Sequence, residues 1–217
     1  MTGTTTIGGP ARPVAVVGRL VLDGVGNVSG ISSAAFTGLT FGNPVRGTYE
    51  AHWDCSVTWN LQDDSGNYQH FAGTINTNGE EIRFRQTDPG GAEDGTMLRT
   101  MNGCSDFNLS GKFSLTISGA TLDVDTAVES GRVSFTGLLI ADGAGGLAFA
   151  TRPGLPALPA GTYEIHGDCL GELKLELRLG SKTETTHFRG VLVENGRKVL
   201  AIETDPGTVV ALRLVSR

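Results

Sequence analysis

The chain is short of several things, and each shortage closes off a class of protein. It has no run of eighteen apolar residues, so no membrane-spanning helix is expected. It has no cluster of lysine and arginine. Acids and bases are mixed along the chain and the net charge is −6, which is the wrong footprint for a nucleic-acid partner. Gly-x-Ser-x-Gly, a P-loop and a strand-to-helix dinucleotide fingerprint are all missing, so no cofactor is expected. The Cys-x-x-Cys and Cys/His spacings of zinc sites are missing too. No apolar stretch of the kind found in signal peptides follows Met1, and Met1 to Pro10, small and polar, read as loose. Aromatic residues make up only 6% of the chain, and both tryptophans, Trp53 and Trp59, fall in its first half.

Glycine, by contrast, is abundant: 32 of 217 residues, beside 8 prolines and a hydrophobic fraction of 39%. Glycine disfavours helix interiors, and its recurrence between short apolar runs suits many strands joined by tight turns. The runs themselves repeat. Gly47-Thr48-Tyr49-Glu50-Ala51-His52-Trp53-Asp54-Cys55 returns as Gly161-Thr162-Tyr163-Glu164-Ile165-His166-Gly167-Asp168-Cys169, identical at seven of nine positions. Residues 17–27 match 136–146, and His70-Phe71 with 81–90 matches His187-Phe188 with 198–207. Thr96 to Arg99 is aligned with Val210 to Arg213. The chain is therefore read as a tandem duplication, with a first unit over 1–103 and a second over 104–217.

Within each unit the apolar residues alternate. Val57, Trp59 and Leu61 share one face of a strand, and Leu173, Leu175, Leu177 and Leu179 repeat this in the second unit. Asp23-Gly24, Asp142-Gly143, Asn78-Gly79 and Asn195-Gly196 are hairpin-turn dipeptides. Strands are expected at 14–22, 28–36, 46–54, 56–63, 68–76, 81–87 and 95–101 in the first unit. The second adds 111–119 ahead of 132–141, 146–152, 161–168, 171–179, 185–194, 198–204 and 208–215. No convincing helix emerges; the best stretch, 121–130, is acidic and interrupted by β-branched residues. The reading is all-β: two similar antiparallel meander barrels of about eight strands, closed so that no long edge is left exposed. The first unit looks as though its N-terminal strand is missing.

Three cysteines allow at most one intrachain bridge. Cys104–Cys169 within the second unit is preferred, leaving Cys55 free; three reduced thiols in an intracellular protein is the alternative. The bridge would favour secretion, and its absence the cytoplasm.

Leu20-x-Leu22-Asp23-Gly24-x-Gly26-Asn27-Val28-Ser29-Gly30, then Gly-Thr-Tyr-x4-Asp-Cys, then Thr-Asp-Pro-Gly, resembles a group of small microbial β-barrel proteins. That group is similar to the lipocalin-like (calycin) and allene-oxide-cyclase-like barrels. The resemblance covers nearly the whole chain, twice. It implies a barrel fold and admits a cofactor-free cyclase. Such proteins often begin with a Cys and a Gly-x-Phe strand; the second unit keeps these as Cys104 and Gly111-Lys112-Phe113.

Glu50, His52 and Asp54 lie two apart, as do Glu164, His166 and Asp168. Along one strand such a row spans roughly 13 Å, too far for three bonds to one metal, so no metal site is expected. These residues are placed outward and Tyr49, Ala51 and Trp53 inward. His70 is a candidate general base, or else a strand-end histidine held by the backbone. Arg83, Arg85 and Arg99 are candidates to converge at a barrel mouth and hold an oxyanion, or else form a solvated face. Tyr49, Trp53, Trp59 and Tyr68 are candidates for substrate binding in the first unit, or else a larger core. The expected function is a cofactor-independent cyclase or isomerase acting on a hydrophobic, natural-product-like small molecule inside the barrel. The alternative is a non-catalytic binder of a lipophile or carbohydrate. A monomer or homodimer is expected.

Overall fold

A computed structural model of the chain describes residues 1–5, 11–151, 156–179 and 182–217. Its strands form two closed antiparallel barrels, each following chain order. The first comprises β1 (Thr2–Thr5), β2 (Arg12–Leu22), β3 (Asn27–Phe36), β4 (Leu39–Ala51), β5 (Ser56–Asp63), β6 (Tyr68–Ile75), β7 (Glu81–Gln86) and β8 (Gly91–Leu98). The second comprises β9 (Ser110–Leu122), β10 (Glu129–Asp142), β11 (Gly146–Phe149), β12 (Leu158–Ile165), β13 (Leu170–Leu179), β14 (Lys182–Val193), β15 (Lys198–Glu203) and β16 (Thr208–Ser216). One turn of 3-10 helix, Asp106–Asn108, precedes β9.

Directly paired residues share a face of the sheet, so the register identifies each inner wall. In the first barrel Tyr49 opposes Trp59, Trp59 opposes Phe71, and Phe71 opposes Gln86. Gly3 opposes both Val14 and Glu93. The fully enclosed apolar centre of this barrel is small: Val57, Trp59 and Phe71, with Tyr49, Leu61, Ile75, Ile82, Phe84 and Met97 packed around them. Trp59 stacks on Phe71 at 5.3 Å and meets the edge of Phe84 at 5.0 Å. The second barrel is filled from end to end, with Phe113, Leu115, Ile117, Leu139, Leu173, Leu175, Phe188, Val199, Leu212 and Leu214 all buried.

The barrels pack side by side. Ala15 and Val17 of β2 and Ala35 of β3 meet Ala120, Leu122, Val191, Val193, Ile202 and Val209 in one apolar cluster. The β3–β4 turn reaches the β15–β16 turn, where the Gly207 amide donates to the Gly38 carbonyl at 2.7 Å. Gly38 has φ +77°, a left-handed backbone that suits glycine, and a Cβ there would crowd Gly207.

The strands follow the alternation closely, but several bounds differ: β4 begins at Leu39 rather than 46 and ends at Ala51 rather than 54, and β12 runs Leu158–Ile165 rather than 161–168. Residues 2–5, expected to be loose, form β1 and take the place of the N-terminal strand that seemed to be missing; residues 6–10 lie outside the described residues. Residues 91–94 begin β8, which ends at Leu98 rather than 101. Residues 123–128 form a turn, with Asp123 accepting from the Thr126 amide and hydroxyl. The strand expected at 146–152 stops at Phe149, and its residue 152 lies outside the described residues. Register also corrects the last aligned block. Arg83 opposes Thr96 and Leu200 opposes Arg213, so Arg213 is the counterpart of Thr96, not of Arg99.

Candidate functional site

The inner wall of the first barrel is divided. Toward one end it is apolar, and a cavity of about 10 Å³ lies among Leu20, Leu22, Val28, Tyr49, Val57, Trp59, Ile82 and Met97. Toward the other end it is polar. The pairs Phe84–Gly95 and Arg85–Asp94 continue the β7–β8 ladder so as to set Gln86 beside Glu93. Both are buried, Glu93 with 4% of its surface exposed. The Gln86 amide donates to Asp88 at 3.2 Å. Its Oε1 and the Glu93 Oε2 have no hydrogen-bond partner. A buried oxygen without a partner is costly and awaits a donor. Burial pushes the Glu93 carboxyl above its usual pKa, because removing water disfavours the charged form.

The second barrel carries the same idea with the residues exchanged. Glu203 opposes Phe188 as Gln86 opposes Phe71, so Glu203 stands at the Gln86 position. Gly3 opposes Glu93 and Gly119 opposes Val210, so Val210 stands at the Glu93 position. Burial and the nearby Asp205 charge push the Glu203 pKa up to about 7. Here the surroundings are packed full, whereas the first barrel keeps its small cavity.

Of the residues expected to form a site, Tyr49 and Trp59 do line that cavity. Trp53 does not. It lies in the turn after β4 and is 97% exposed, because the strand ends at Ala51 and alternation no longer holds at residue 53. Tyr68 opens β6 on the outer face and stacks loosely on His70 at 6.4 Å. Arg83 and Arg85 alternate with the inward Ile82, Phe84 and Gln86, so they point to solvent. Arg83 pairs with Glu81 at 2.7 Å. Arg99 lies beyond β8, exposed, its amide bonded to Glu80 at 3.0 Å. The three arginines therefore do not converge at a mouth.

His70 lies exposed on the outside of its barrel and does not line the cavity. Its amide donates to Asp88 Oδ2 at 2.7 Å, and its Nδ1 lies 2.7 Å from Oδ1. His187 and Asp205 repeat this at 2.8 and 2.9 Å. The Thr87 and Thr204 amides bond the carbonyls of the same histidines. Each pair clasps one strand, β6 near its start and β14 at its middle, to the Thr-Asp-Pro-Gly turn on the outside of its barrel. Glu50, His52 and Asp54 are exposed as expected, and Asp54 holds its turn by accepting from the Ser56 amide at 2.9 Å.

Sequence reasoning missed Glu93, Gln86 and Glu203. The signal was present in Gly91-x-Glu93-x-Gly95-x-Met97, which alternates, but a strand begun at 95 left Glu93 in a loop. A separate open groove of about 570 Å³ runs between Thr40 and Gly42 of β4 and the outer face of β12–β14. Two of its charged groups are paired, Arg189 with Glu172 at 3.3 Å and His187 with Asp205, and Glu164 and Lys174 line it as well. Among the described residues, no three His, Cys, Asp or Glu side chains form a metal-binding group. Nor, among the described residues, is any helix long and apolar enough to cross a membrane.

Comparison with known proteins finds no matching family model, no matching curated protein and no matching solved structure. The duplication into two barrels is shown by the fold itself, and the likeness to lipocalin-like and allene-oxide-cyclase-like barrels rests on the sequence motifs.

Proposed function

We propose that the first barrel is the functional half and acts as a cofactor-independent isomerase or cyclase on a small, mainly apolar molecule. One observation carries this reading. The two inner walls are built alike, yet among the described residues only the first holds both an aromatic-lined cavity toward one end and, toward the other, a buried carboxyl with an oxygen that lacks a partner. A carboxyl with a raised pKa suits proton transfer near neutral pH. As the acid, Glu93 gives its proton to a substrate carbonyl oxygen. As the carboxylate, it takes one from the neighbouring carbon, so the group ends as it began and the substrate is isomerised. Trp59 and Tyr49 supply the apolar wall that orients the molecule. The cavity as it stands holds about one water, so binding requires Leu20 and Leu22, both only partly covered, to move aside.

The second reading is a non-catalytic carrier, favoured by a cavity lined by aliphatic and aromatic side chains. Native mass spectrometry of the purified protein, followed by incubation of any retained molecule with the wild type and E93Q, separates the two. Conversion that E93Q slows by about a hundredfold or more supports the enzyme. Recovery of an unchanged molecule from both proteins supports the carrier. Retention that survives W59A and Tyr49→Ala would place the site elsewhere.

A further inference from the structure

The copies also differ on one outer face, the floor of the open groove between the barrels. In the second barrel Tyr163, Leu173 and Phe188 point inward and are buried, so their strand neighbours point outward. Register sorts the outward residues into two rows. Thr162 opposes Lys174, and Lys174 opposes His187. Two residues along, Glu164 opposes Glu172, and Glu172 opposes Arg189. Both rows line the groove of about 570 Å³, and Thr40 and Gly42 of β4 form its side. The Thr40 hydroxyl donates to the Glu203 carbonyl at 3.2 Å, which fixes that side against the second barrel. Gly42 leaves room for the Arg189 guanidinium, which a Cβ would approach to 3.1 Å.

The first barrel has the same two rows with different residues. Asn60 opposes His70 as Lys174 opposes His187. Glu50 opposes Thr58, and Thr58 opposes Ala72. Asn, Thr and Ala therefore stand where the second barrel has Lys174, Glu172 and Arg189. The Asn60 side chain is held within its own row, donating to the Thr48 hydroxyl at 2.8 Å. Three positions are thus uncharged in one copy and charged in the copy whose face is walled by the neighbouring barrel.

Pairing within the groove leaves two charges over. Arg189 holds Glu172 at 3.3 Å, and His187 holds Asp205 through Nδ1 at 2.9 Å. Among the described residues the Lys174 ammonium has no ion pair and no hydrogen bond. Glu164 has His166 at 3.7 Å, and it faces Glu172 directly, where like charges repel. Lys174 and Glu164 do not pair with each other. They are diagonal neighbours across two strands, a spacing of about 7–8 Å. The floor therefore offers one free cation and one free anion, set apart by a fixed interval.

We propose that this groove binds a short peptide with free ends, a dipeptide fitting it best. Two residues of extended chain span about 7 Å, whereas a single residue spans only about half of that. The peptide carboxylate lies on Lys174 beside the Thr162 hydroxyl. Its ammonium group lies against Glu164, where it also offsets the repulsion from Glu172. The groove falls within the range of about 300–1,000 Å³ found for small-ligand sites, which leaves space for both side chains. Glu93 takes no part, so this site and the proton chemistry proposed for the first barrel are tested separately.

The probe is the set of twenty dipeptides Ala-Xaa with free ends, each titrated calorimetrically into the full 217-residue protein at low ionic strength. At least one is expected to bind one-to-one, and more weakly as salt is added. N-acetylation and C-amidation of that dipeptide should each weaken it about tenfold, the scale of a lost hydrogen bond to a charged group. Two variants assign the ends. Lys174→Asn, which installs the residue of the first barrel, should bind acid and amide alike while still preferring the free amine. Glu164→Gln should do the reverse. Both substitutions lie on an exposed face, so melting midpoints should stay within about 2 °C of the wild type. A panel in which no free dipeptide binds more tightly than its blocked forms overturns the proposal. So does a dipeptide whose affinity and end preference neither variant changes.

Discussion

At the scale of single residues, two buried carboxyls and two tryptophans separate structural cost from potential use. The Glu203 pKa is raised from 4.5 to about 7 in the folded state by burial and by Asp205. The folded protein therefore binds more protons than the unfolded chain between those values. Stability from this group is complete below about pH 4.5 and is lost as pH rises through about 7, with an upper bound of roughly 3 kcal/mol. Glu203→Gln, which installs the residue that the first barrel already has at position 86, should flatten this slope. Urea midpoints at pH 5 and pH 8 measure it, and an unchanged slope would show that Glu203 stays ionised in the fold. The tryptophans give the opposite contrast. Trp59→Ala should cost roughly 3–5 kcal/mol through loss of its contacts with Phe71 and Phe84. Trp53→Ala should fall within about 0.5 kcal/mol, and equal costs for the two would contradict their placement.

At the scale of strands, β7 and β15 are the same element put to different uses. Arg83 and Arg85 occupy the outer face of β7, and Leu200 and Ile202 occupy the equivalent face of β15. This difference is one of surroundings. Its cause is docking: the outer face of β15 lies against β2 and must be apolar, whereas that of β7 meets water. Ile202, 2% exposed, should tolerate Arg poorly, at roughly 3 kcal/mol or more for an unpaired buried charge, while Arg85→Ile should change stability by less than about 0.5 kcal/mol. Chemical denaturation of the two variants checks both. This also shows how far the sequence could be read. Strand positions and inner faces followed from period-two alternation, because a barrel wall enforces that period. The unbroken apolar run Val199-Leu200-Ala201-Ile202 carried the news that β15 is covered on both faces. The site residues were less legible. His70 and Asp88 are eighteen residues apart, and only the return of β7 into the Asp-Pro-Gly turn shows that they clasp each other. Glu93 was hidden by a boundary misplaced by four residues at a strand that starts with Gly91-Ala92. Trp53 was misplaced because alternation was carried past the end of β4.

At the scale of the molecule, the two barrels are unequal partners joined by one interface. The second has a continuous core and a disulfide spanning 65 residues, which in the chain-entropy account contributes roughly 4 kcal/mol. The first has a thin core, a first strand of only 4 residues and a carboxyl buried without a full set of partners. Held apart, the first barrel should be the weaker, so much of its stability comes from Ala15, Val17 and Ala35 lying against Val191, Val193 and Ile202. Units coupled through an apolar interface of this kind unfold together until the interface is broken. Ala35 is fully buried there, and Ala35→Asp puts a charge between the barrels without touching either core. Scanning calorimetry of the wild type should show one transition. Ala35→Asp should show two, the lower belonging to the first barrel and the upper still moved down by reducing Cys104–Cys169. A variant that keeps a single transition, merely shifted to lower temperature, would mean that the barrels are bound by more than this cluster and that the first does not depend on the second for its fold.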